Sequence, residues 1–399
     1  MKIIAALLII IFLTFSGYHL SFRSFKLPLF ARKFYLTGTE YIFLGLLLGP
    51  FFLNLLDAGT IAGLEPLTAL ILGWIGLLCG FQFEIREIKR FSKTYLGAAL
   101  TESTVTFVTV TTAAFFLIPL WFIIPDTTLI ISAITLGAAA SCTSQTGLAL
   151  LTGTMISKRS EVVRFLQYIS SINAIAALLF FAPVFFINAR VVLKPSWFKT
   201  VGYEFLVIFI ANICLILLYN LFLSQRRHKK DLLLIIIGMV VLTSGAASIL
   251  QFSPLVANFF LGTFLVNTTR EKERIFSLLV SIEKPLYLLL LVFIGAYWVP
   301  DTAIFFLFSL IYCSIRMAGK LTGGFLAAKI SYKKNSFPSG LGRGLIEQGG
   351  LPLAILFDFN QGFSGIFTTD IITIAIIGLI INDLISPLFL HRFLDRDEI

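Results

Sequence analysis

Glu102, Arg316, Lys320, Glu347 and Asp383 each interrupt a long run of apolar residues. A charge in such a run is costly to bury, so it marks an ion or proton pathway or a tightly paired structural group. Arg316 and Lys320 are four residues apart and share a face if their run is helical. A lysine held away from water is a candidate proton switch. Its alternative role is to donate hydrogen bonds to backbone carbonyls. Glu283, Lys284 and Arg343 lie nearer the ends of apolar runs, where basic side chains reach the interface, and the same ordinary role serves for Glu204 and Asp370. The densest neutral polar stretch is Gly137–Gly147, with Ser141, Thr143, Ser144, Gln145 and Thr146 almost side by side. Hydroxyl and amide oxygens of this kind can coordinate a cation or satisfy an interrupted backbone, and hydrocarbon offers neither service. A polar break bracketed by glycines points to a discontinuous helix at a transport site. The competing reading is a small-residue packing face. No metal centre is expected from His19, His228 and His391, which are scattered, or from Cys79, Cys142, Cys214 and Cys313, which lie singly in apolar spans. Nucleophile–base pairs are also missing, so neither an enzyme nor a resident cofactor is expected.

The elements that must carry these residues are membrane spans. Of 399 residues, 58% are hydrophobic and 13% charged, against about 25% charged in soluble chains. About thirteen runs are long enough to cross a bilayer, at roughly 2–20, 40–56, 64–83, 94–120, 127–152, 162–188, 201–223, 231–250, 253–267, 280–299, 302–328, 340–357 and 365–390. Lys and Arg fall after odd-numbered spans, as in Arg86–Lys93, Arg226–Lys230 and Arg270–Arg274, while the even side holds only Arg190, Lys194 and Lys199. The positive-inside rule then places the N-terminus outside and the C-terminus in the cytosol of a cell (inner) membrane protein. The net charge of +10 is loop charge on the cytosolic face, not a nucleic-acid footprint. The first span also reads as a signal peptide, whose removal would leave the rest unchanged.

Taken in order, several segments resemble the monovalent cation:proton antiporter family of sodium/proton exchangers and potassium efflux proteins. These are Gly45–Pro50, Gly80–Glu87, Ala140–Gln145, Leu255–Gly262, Gly319–Gly323 and Gly344–Gly350. The resemblance implies an all-α polytopic fold of inverted repeats with two broken, crossing helices. The breaks would fall around Thr143 and Gly349, seven spans apart, an odd offset that reverses orientation. It further implies a core of about 94–190 and 301–392, and a scaffold of about 1–93 and 200–300 that forms a homodimer. Monovalent cations, protons and the lipid bilayer are the implied partners. Lys320 matches the family's core lysine, which pairs with a carboxylate on span 6 or takes part in proton transport.

Span 6 departs from that pattern. The family's Asp-Asp or Asn-Asp pair falls on Ile172-Asn173, and no carboxylate follows Glu161 in the span. An asparagine can coordinate a cation but cannot carry charge or a proton. At the second break Gln348 and Gly350 replace arginine and glutamate. Lys320 therefore needs another anion, and Glu102 and Glu347 are the candidates. Three functions follow: an antiporter with relocated carboxylates, an uncoupled or anion-handling relative, and a non-transporting membrane sensor or scaffold. The candidate pathway comprises Glu102, Thr143, Ser144, Gln145, Asn173, Arg316, Lys320, Glu347 and Gln348. If Asn173 faces Lys320, Asn173→Asp should be tolerated by restoring a carboxylate beside the lysine.

Overall fold

The computed structural model describes residues 38, 40–144, 160–185, 187, 197–219, 229–298, 304–331, 340–363 and 366–395. Span 1, Gln145, Arg190 and Lys194 lie outside the described residues, and Lys199 falls in the first turn of α8. The described elements are helical: α1 (Glu40–Leu48), α2 (Ala58–Gly63), α3 (Glu65–Phe81), α4 (Ile85–Arg90), α5 (Lys93–Leu117), α6 (Asp126–Ser141), α7 (Ser160–Phe181), α8 (Trp197–Leu218), α9 (Lys229–Ile249), α10 (Pro254–Thr268), α11 (Lys272–Tyr297), α12 (Ile304–Ser331), α13 (Leu351–Gly362) and α14 (Ile366–Asp395). Seven stretches among the described residues are long and apolar enough to cross a membrane, and α6, α10 and Leu206–Leu218 are shorter apolar helices.

Local chemistry sets several starts and stops. Asp57, Ser92 and Ser253 accept the backbone N–H groups of Thr60, Tyr95 and Val256, which caps α2, α5 and α10. Pro254 and Pro352 open α10 and α13, where a missing N–H is harmless. The helix expected over roughly 40–56 stops at Leu48, because Pro50 disfavours helical backbone at Gly49 and the chain then turns through a left-handed Asn54 (φ 50°). The span expected to open near 280 begins instead at Lys272. Its first turns are charged outside but bury Ile275 and Leu279, so Glu283 and Lys284 sit inside the helix, not at its start.

The chain divides into two compact units, residues 1–84 with 198–300 and residues 85–197 with 301–399. In the first, α3, α9, α10 and α11 and the end of α8 bury a core of Trp74, Leu77, Phe81, Tyr219, Ile236, Leu261, Leu265 and Leu279. Trp74 donates its indole N–H to the Leu279 carbonyl (3.3 Å), which satisfies the one polar atom of a buried ring. In the second unit, α5 packs on α6, α7 and α12, and α13 packs on α6 and α14.

Among the described residues of the second unit, two helices are interrupted. One, α6, ends at Ser141 and continues as the non-helical Cys142-Thr143-Ser144. The other is a 3-10 turn (Leu341–Leu345) separated from α13 by Ile346–Gly350. The interruptions meet: the Ser144 N–H donates to the Glu347 carbonyl (3.0 Å), and the Thr143 hydroxyl donates to the Leu345 carbonyl (3.3 Å). Gly349 (φ +73°) passes so near that a Cβ there would come 2.8 Å from Ser144 Cβ, so both its backbone and its neighbour demand glycine.

Candidate functional site

The site is built where α12 crosses α5 beneath these interruptions. Gly319 and Gly323 flank Lys320, and a Cβ on either would lie 3.2 Å from Thr106 Cα and 2.9 Å from the Glu102 carbonyl, respectively. The two glycines thus let the α5 backbone approach, and they bring Glu102 to the lysine between them. Both side chains are 0% exposed. Lys320 Nζ lies 3.1 Å from Glu102 Oε1 and 3.4 Å from Oε2. The same ammonium donates to the Ser141 carbonyl (2.7 Å) and to Thr143 Oγ1 (2.9 Å). A buried ion pair survives only when its remaining donors and acceptors are satisfied, and here they are. The Thr106 hydroxyl donates to Glu102 Oε1 (3.2 Å), and Asn173 Nδ2 donates to Glu102 Oε2 (2.6 Å) and Thr143 Oγ1 (3.1 Å).

Asn173, carried by α7, comes to the break at Thr143 and to Glu102, the carboxylate that Lys320 pairs with. Its amide faces Glu102, so a carboxylate at 173 would meet another carboxylate and not the lysine alone. The expectation that Asn173→Asp is tolerated by itself does not fit this geometry. Ser170, one turn earlier, donates to the Thr143 carbonyl (2.7 Å) and fixes the break to α7.

Arg316, also fully buried, has a different task. Its Nε donates to the Ala140 carbonyl (3.0 Å), and its two terminal nitrogens donate to the carbonyls of Cys142 (2.8 Å) and Ile346 (2.6 Å). Ala140 and Ser141 are among the last carbonyls of α6, which have no helical partners, and Cys142 follows them just past the helix end. Arg316 and Lys320, spaced one turn apart, take all three, where the helix dipole also favours positive charge. Through Ile346 the same guanidinium ties the two interruptions together.

Gln348 ties the second interruption to its surroundings. Its Nε2 donates to the Ala139 carbonyl (3.3 Å) and to Tyr312 Oη (3.2 Å), and its Oε1 accepts from Asn382 Nδ2 (3.1 Å). Ser144 and Glu347 are buried and join the site through their main chains. The lysine's ion pair is made with Glu102. Asp383 is buried on α14 beside Asn382, Arg343 is half-buried in the 3-10 turn, and Glu283 and Lys284 belong to the first unit.

Thr106, Tyr312, Asn382 and the fully buried Ser170 escaped sequence reasoning. Thr106 and Tyr312 were signalled by spacing, four residues from Glu102 and from Arg316 on the same helix faces. Nothing in the sequence marks Asn382 apart from Asp383 beside it. Asp358, buried on α13, was also missed, because it follows the apolar run expected to end at 357.

No family model matches the sequence, and no curated protein matches it at a significant level. The structure does find relatives. The sodium proton antiporter MjNhaP1 from Methanocaldococcus jannaschii superposes with a TM-score of 0.63 at 18% identity, over 88% of this chain and 92% of that one. The interrupted helices, their meeting point and this superposition agree on one architecture: the chain is a multi-pass membrane protein with the sodium/proton antiporter fold.

Proposed function

We propose that this chain is a member of the monovalent cation:proton antiporter family and exchanges sodium or potassium for protons by alternating access. The observation that carries this reading is the buried Lys320–Glu102 pair set against the end of an interrupted helix. Glu102 supplies the anion that span 6 lacks. When Lys320 is charged, the pair is neutral and both Glu102 oxygens are engaged. A monovalent cation that reaches Glu102 takes over the role of the ammonium, and Lys320 releases one proton to water as it leaves. Reprotonation of Lys320 expels the cation. The charge at the carboxylate is the same in both states, so neither form leaves an uncompensated ion in a dry site. Residues of about 94–190 and 301–392 act as the moving core, and those of about 1–93 and 200–300 as scaffold and homodimer surface. The N-terminus lies outside and the C-terminus in the cytosol. The fully buried cations, Arg316 and Lys320, are both directed at protein oxygens, which favours cation over anion handling.

The test uses inside-out vesicles with an imposed pH gradient. Sodium or potassium added to vesicles containing the chain is expected to dissipate the gradient, and Lys320→Ala is expected to abolish that response. Anion flux without a cation response would replace this reading with the anion-handling one, and absence of both would replace it with a membrane sensor or scaffold.

A further inference from the structure

We infer that the oxygen cage around the Lys320 ammonium is the seat of the transported cation, and that this seat takes potassium-sized ions in preference to sodium. The inference rests on the antiport reading and adds a selectivity to it.

A lysine ammonium at such a position is a stand-in ion: it shows where protein oxygens converge on a single positive charge, and at what distance. Here the Ser141 carbonyl lies at 2.7 Å, Thr143 Oγ1 at 2.9 Å, and the Glu102 oxygens at 3.1 and 3.4 Å. An ammonium group and a potassium ion are similar in size, whereas sodium and lithium need oxygens drawn in closer. The cage resists that contraction because its oxygens, or the chain on either side of them, are held by further bonds. Ser141 sits between two carbonyls anchored by Arg316. Thr143 donates to Leu345 and accepts from Asn173. Glu102 is held by Thr106 on one oxygen and Asn173 on the other.

The experiment reconstitutes the full chain in liposomes with an imposed pH gradient. Potassium, rubidium, sodium and lithium chlorides are each titrated to the half-maximal response. Potassium and rubidium are expected to act at roughly tenfold lower concentration than sodium and lithium. Thr143→Ala, which removes one oxygen of the cage, is expected to reduce that ratio. Sodium or lithium acting at equal or lower concentration would overturn the inference and leave antiport standing. An unchanged ratio in a folded Thr143→Ala protein would also overturn it, since the selecting oxygens would lie elsewhere. No response to any of the four ions would overturn the antiport reading, and the seat with it.

Discussion

The carboxylate that span 6 lacks stands on α5 as Glu102, joined to Asn173 of α7 by a 2.6 Å hydrogen bond. This arrangement can be tested by exchanging them. Glu102→Gln strips a fully buried ammonium of its counter-charge, which should cost about 3–5 kcal/mol and abolish exchange. Asn173→Asp sets two carboxylates against each other, so one must take up a proton or the contact must open. The double change returns one carboxylate and one amide to the same contact, with the carboxylate still beside Thr143, to which Lys320 also donates. Thermal stability in detergent and pH-gradient dissipation should both recover in the double variant relative to either single one. Additive losses would mean that the two positions do not share the lysine's counter-charge.

At the scale of elements, the helix pairs differ in how little room they leave. In the first unit α3 and α10 touch backbone to backbone, and a Cβ on Gly76 would come 2.0 Å from the Leu255 carbonyl. No flexible side chain can yield there, so the helices must separate. Gly238 on α9 has nothing within 4 Å. Gly76→Ala should therefore destabilise the protein by about 1–3 kcal/mol or more. Gly238→Ala should be neutral or stabilise it by up to about 1 kcal/mol, through helix propensity alone. Equal melting temperatures for the two variants would contradict the close crossing. The same logic underlies Gly319 and Gly323, where close approach delivers a charged partner and not only a packing contact.

At the scale of the molecule, orientation rests on loop charge. Within the second unit α5 links the exposed basic helix α4 to the exposed apolar segment around Ile123, so these segments belong on opposite faces of the bilayer. In a cysteine-free background, Glu87→Cys should be labelled by an impermeant thiol reagent only from the cytosolic side. Ile123→Cys should be labelled only from outside. Labelling of both from one side would remove α5 as a membrane span and undo the parity on which the inverted repeat depends.

Much of this architecture is written into local pattern. Apolar runs of bilayer length, basic loops on alternate turns and the glycine-bracketed polar stretches are short-range features, each with its own physical cost in hydrocarbon, so they are readable without contacts. The shared face of Arg316 and Lys320 follows from helical periodicity, and both interruptions lie where polar residues and glycines displace apolar ones. Local pattern stops at pairing. Glu102 and Glu347 were equal candidates for Lys320 because each is a single carboxylate in an apolar run, and neither run states which helix lies beside α12. Packing resolves it: Gly319 and Gly323 admit the α5 backbone, and the crossing places Glu102 against the ammonium. The three carbonyls at the end of α6 are equally silent in sequence, since every residue has one. They become ligands because the helix stops at Ser141 and the two cations of α12 lie opposite them.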